Sequence, residues 1–93
     1  ISLAKNDLTK AINSFQQAHA IDQKLGIPGK IRLDLIRLGA AYERTGEAKT
    51  ALHFYARALA VSDAMGSNKG ADEVRAYINA LQKNFEVQAS GTQ

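Results

Sequence analysis

The side chains able to do chemistry are few in this sequence, and their spacing is poor for catalysis. The two histidines, His19 and His53, fall on different helical segments, and neither has companions at zinc-binding spacing. His19 and Asp22 stand three apart on one helix face, but two ligands do not hold a structural metal. There is no Cys, which excludes thiolate ligands, a cysteine nucleophile and disulfides. Ser2, Ser14, Ser62 and Ser67 lie in helical or capping contexts, without a G-x-S-x-G turn or an oriented base. The stretch Gly26-Ile27-Pro28-Gly29-Lys30 has glycines and a lysine but lacks phosphate-loop spacing and a preceding strand. It reads as a connection between helices. No two carboxylates are spaced for acid–base work. These residues predict no enzyme, no metal and no cofactor.

The basic residues are better organised. Arg37 and Arg44 are seven apart and share a helix face with Leu33 and Ala40. Further on, Arg75, Asn79 and Lys83 recur at four-residue steps opposite an apolar stripe. Two such rows side by side would form a short basic trough suited to an acidic segment or a C-terminal carboxylate. Taken singly, each row is an ordinary solvated helix face.

The chain that must position them has 93 residues, of which 45% are hydrophobic and 23% charged. That is enough apolar surface to offset chain entropy, so extensive disorder is excluded. No run approaches the length needed to span a bilayer. One Pro, no Trp and many Ala, Leu, Ile and Lys point to helices. The net charge of +3 is too small and too scattered to imply nucleic acid. Ile1 to Lys5 lacks the apolar stretch of a signal peptide. A soluble, cytoplasmic setting is favoured, although the lack of Cys does not identify the compartment. Ile1 is not an initiator Met, and the segment is expected to begin partway through a helical hairpin.

The chain also repeats itself at a spacing of forty residues. Ala11, Ala18, Ala20 and Gly26 fall on Ala51, Ala58, Ala60 and Gly66, and Phe15 falls on Tyr55. Within the first copy Leu8, Ala11, Ile12, Phe15, Ala18, Ile21 and Leu25 step by three or four and make one apolar stripe. Asp7 is read as the N-cap of this helix, and Gly26 and Gly66 as left-handed residues that end helices. Between the copies a helix near 29–44 is apolar almost all round, so it must be covered on more than one side. Gly39 in its middle is expected to permit a close helix–helix approach.

From Arg32 onward the chain resembles a tetratricopeptide repeat, whose pattern runs large apolar, Leu-Gly, Tyr, Gly, Ala, aromatic, Ala. Here those positions are Leu35, Leu38-Gly39, Tyr42, Gly46, Ala51, Tyr55 and Ala58. A complete repeat would span 30–66, preceded by the second helix of a partial repeat at 6–26, which carries Ala11, Phe15 and Ala18. Asp63 stands where the family usually has Pro, and the helix runs on to Met65. The segment is therefore similar to the longer, forty-residue variety found in scaffolds that regulate G-protein signalling. The last helix, 68–85, has Ile78 or Asn79 in place of Leu-Gly and resembles a capping helix, with 86–93 expected as a flexible tail.

The resemblance implies an all-α superhelix, a helical-hairpin solenoid of about four antiparallel helices truncated at its N-terminus. It implies a protein–protein interaction scaffold binding a peptide or helix of a partner in a groove faced by Leu33, Arg37, Ala40, Arg44, Arg75, Asn79 and Lys83. The family's carboxylate-clamp positions carry Ile36 and Ala40, so binding of chaperone tails is not implied. An RNA-binding helical repeat is the alternative, disfavoured by the forty-residue period and low charge. Self-association is also expected, on the view that Leu8, Ile12 and Phe15 lack a covering helix.

Overall fold

Three glycines set where the helices end. Gly26, Gly46 and Gly66 are twenty residues apart and take positive φ values of 66°, 84° and 72°. At each one the following amide reaches back over the last turn: Ile27 to the Asp22 carbonyl at 3.4 Å, Glu47 to Tyr42 at 2.9 Å, and Ser67 to Ser62 at 3.0 Å. These are Schellman closures, which satisfy carbonyls that the helix itself leaves open. The computed structural model describes the backbone over residues 5–91 and side chains over 7–83. Within those bounds it is all-α, with α1 (Lys5–Leu25), α2 (Pro28–Arg44), α3 (Ala48–Ala64) and α4 (Asn68–Gly91).

Helix starts follow local chemistry too. Pro28 opens α2, where its missing N–H costs nothing. Ser67 caps α4, its Oγ accepting from the Gly70 amide at 3.1 Å. Two expected boundaries move. Asp7 sits inside the first turn of α1 rather than before it, so its carboxylate faces the helix dipole without capping. The helix expected to end at 85 runs on to Gly91, because no Pro or Gly stands between 71 and 90.

Each helix packs on its neighbour in sequence, α1 on α2, α2 on α3 and α3 on α4. The main core joins Leu35 of α2, Ala51, Tyr55 and Ala58 of α3, and Val74 and Leu81 of α4. A second cluster joins Ile12 of α1 to Leu38 and Ala41 of α2. Burial of α2 on both sides is what its nearly all-round apolar sequence requires. Gly39 is essential to the approach of α2 and α3: a Cβ there would lie 2.6 Å from Cε1 of Tyr55. Tyr42 stacks on Phe54 with centroids 5.3 Å apart, tying α2 to α3 on the side towards α1.

Candidate functional site

An open concavity with an apolar floor lies between α1 and α2. Its volume is about 230 Å³, its floor is Leu8, Ala11, Phe15, Ala40 and Ala41, and Arg37 and Arg44 border it. The alternation of small and aromatic residues on α1, at helical spacing, leaves a furrow rather than a ridge. Neither arginine makes an ion pair among the described residues. The arrangement is an apolar furrow bordered by two guanidinium groups able to hold carboxylates, of which Arg37 also acts on Asp34.

Three of the residues expected from sequence, Arg37, Ala40 and Arg44, are therefore brought together. Leu33 is exposed but does not line this groove. The second row is not joined to the first. Arg75 is engaged by Asp72 at 3.0 Å and Asp63 at 3.9 Å, while Asn79 and Lys83 line a separate depression on α4. The continuous basic trough is thus not formed, because α4 turns that row away from the groove of α1 and α2. The missing cover expected over α1 is also corrected: α2 buries Leu8 and Ile12, and only Phe15 stays half-open.

A polar cluster beside the groove was not foreseen. Asp34 of α2 is buried, and its carboxyl meets that of Asp22 on α1. Burial, then the hydrogen bond and charge shared with Asp22, raise the Asp34 pKa from 3.8 to about 6, with Arg37 and Lys30 opposing. Asp34 Oδ2 has no hydrogen-bond partner. One turn away on α1, His19 is buried rather than superficial. Its Nε2 lies 3.3 Å from Arg57 Nη2, and a guanidinium only donates, so the ring is neutral and accepts there. Burial and then Arg57 lower its pKa, against a raising influence from Asp22. Carboxylates twelve apart in sequence thus meet across the α1–α2 hairpin, a contact that their spacing along the chain did not reveal.

The corresponding place on the next hairpin is closed by hydrogen bonds and one ion pair. Arg32 of α2 reaches across to α3 and α4, donating to Ser62 Oγ at 2.8 Å, the Gly70 carbonyl at 3.1 Å and Glu73 at 3.3 Å. Ser62, fully buried, donates in turn to the Ala58 carbonyl at 3.0 Å. This serine hydroxyl is engaged on both sides within the fold.

Among the described residues no group of three or more His, Asp or Glu side chains is placed to hold a metal ion. No helix there is long and apolar enough to cross a membrane. A scan against family models matched none, and no curated protein matched the chain. Among solved structures, the solution NMR structure of a designed protein aligns with a TM-score of 0.79 at 23% identity. The match covers 90% of this chain and 82% of the designed one. That likeness gives the chain its fold: four helices, without strands among the described residues.

Proposed function

We propose that this chain is a protein-interaction module, a helical-hairpin solenoid of the tetratricopeptide kind that holds a partner segment between α1 and α2. The observation that carries this reading is the groove itself, with its apolar floor of Leu8, Ala11, Phe15, Ala40 and Ala41 beside Arg37 and Arg44, which form no ion pair among the described residues. Apolar area supplies the attraction, and the two arginines supply orientation and a preference for acidic segments. The expectation of an extended trough reaching Arg75, Asn79 and Lys83 is given up, since Arg75 is already engaged.

The test is capture of partner proteins by the wild-type chain and by an Arg37→Glu, Arg44→Glu double variant. Both side chains are exposed, so the variant should melt like the wild type. Loss of specific partners by the variant supports the groove. Identical capture by both chains rejects it.

A further inference from the structure

Helix α1 reverses the usual rule of burial in the half that leads to Gly26. Its first half docks as an amphipathic helix does, with Leu8 and Ile12 buried and Ile12 packed on Leu38 and Ala41 of α2. In the second half the large apolar residues face outward: Ile21 is 58% exposed and Leu25 63%. The ionisable residues face inward instead. From Gln16 to Leu25 only Ala18, His19 and Asp22 are not exposed. His19 is 8% exposed, and half-buried Asp22 meets the buried Asp34 of α2. This half of α1 is therefore held on the fold mainly by groups that gain and lose protons.

Each of its two contacts has its own proton requirement. Two carboxyl groups in contact hydrogen-bond only while one of them keeps an O–H. Without that proton, like charges stand together at a buried position. A guanidinium donates and never accepts, so the 3.3 Å approach of Arg57 to His19 Nε2 requires that nitrogen to be bare. A protonated ring would turn an N–H and a positive charge towards Arg57. The charges around these groups are few. Asp34 feels Asp22 from α1, and Arg37 and Lys30 from its own helix. His19 feels Arg57 from α3, and Asp22 from its own helix.

We propose that the turn end of the α1–α2 hairpin is a two-way proton latch. The Asp22–Asp34 pair docks α1 while it holds a proton, and His19 docks α1 on Arg57 only as the neutral ring. Carboxyl docking is complete below 3.8 and is lost as pH rises through about 6. Histidine docking is complete above 6.5 and is lost as pH falls through the ring's lowered value. The two arms run in opposite directions, so each holds α1 where the other weakens. The latch does not depend on what the groove binds, although α1 supplies the groove wall of Leu8, Ala11 and Phe15.

The test is amide hydrogen exchange of the whole, isotopically labelled chain between about pH 5 and pH 8, expressed as protection so that the intrinsic pH dependence cancels. A short helix released by its neighbours does not persist in water, so undocking shows as exchange of α1 amides from Ala18 to Leu25. Amides of Ala51, Tyr55 and Ala58 in α3 are the internal reference. Asp34→Asn removes the carboxyl arm and His19→Gln the histidine arm, since neither amide side chain titrates. The ratio of wild-type to Asp34→Asn protection in α1 should rise roughly tenfold from about pH 8 to about pH 5. The ratio of wild-type to His19→Gln protection should fall over the same interval, and the double variant should lose both dependences. If His19→Gln does not fold, His19→Asn takes its place, and the Asp34→Asn ratio still decides the carboxyl arm. Ratios that ignore pH, or that move in the same direction, overturn the latch. Equal changes in α1 and α3 overturn it too, because the protons would then act on the whole fold and not on the docking of one helix.

Discussion

Replacing Asp34 by Asn should make the protein more stable at neutral pH, against the usual direction of core substitutions. Asp34 is 5% exposed, one of its oxygens has no partner, and its carboxyl faces that of Asp22. Its pKa stands at about 6 in the folded chain against an ordinary 3.8. The folded state therefore holds this proton more tightly than the unfolded state. That stabilisation is complete below the ordinary value and is lost as pH rises through about 6. The difference of two pKa units corresponds to about 3 kcal/mol, a large share of the roughly 5–15 kcal/mol that holds a domain together. Coupling to Asp22 spreads the loss over a wider pH range. Asn keeps the shape and an N–H donor for Asp22 while removing the charge. The assay is urea denaturation of both chains at several pH values between about 4 and 8. His19 opposes the trend, since its lowered pKa gives stability that is present above 6.5 and lost as pH falls. The informative quantity is therefore the difference between variant and wild type, in which His19 largely cancels. Asp34→Asn should be more stable by roughly 1–3 kcal/mol near pH 7.5, with the advantage vanishing near pH 4. A variant less stable at pH 7.5, or a difference that does not change with pH, would refute the reasoning.

Two further substitutions probe the packing. Gly39→Ala gains about 1 kcal/mol of helix propensity, but its Cβ would stand 2.6 Å from a Tyr55 ring held by Glu43 and stacked on Tyr77. Overpacking of roughly 1–3 kcal/mol should win, and more with Gly39→Leu, so both should lower the melting temperature; an unchanged melt would contradict the α2–α3 contact. Arg32→Ala leaves Ser62 Oγ and the Gly70 carbonyl without their donor, and should cost about 1–3 kcal/mol in chemical denaturation. Arg32→Lys should recover only part of that, because an ammonium cannot span the same fork of acceptors.

Much of this architecture was legible because small residues have few reasons to recur. Gly26 and Gly66 were readable as helix ends from their place after apolar stripes, and Gly39 as a close approach from its position within an apolar helix. Gly46 entered only as a position of the repeat pattern, yet it closes its helix by the same bonds as the other two. Spacing placed Arg37, Ala40 and Arg44 on one face, as the groove bears out, but spacing along a helix carries no information about its rotation against another helix. That is why Arg75, Asn79 and Lys83 were set beside them and are not. Asp22 and Asp34 were missed for a related reason: their meeting depends on how α1 and α2 pair across the Gly26 turn. A signal was present nonetheless, since in the forty-residue register Asp34 stands opposite Val74, a carboxylate where the other copy has a core residue.

The most direct test of the account is where a partner segment binds. Titration of the isotopically labelled chain with a captured partner, followed by amide chemical shifts, would place the contact residue by residue. The account predicts that the largest changes fall on Leu8, Ala11, Phe15, Asp22, Arg37 and Ala40, along the α1–α2 groove. Changes centred instead on Ala76, Asn79 and Lys83 of α4 would contradict it.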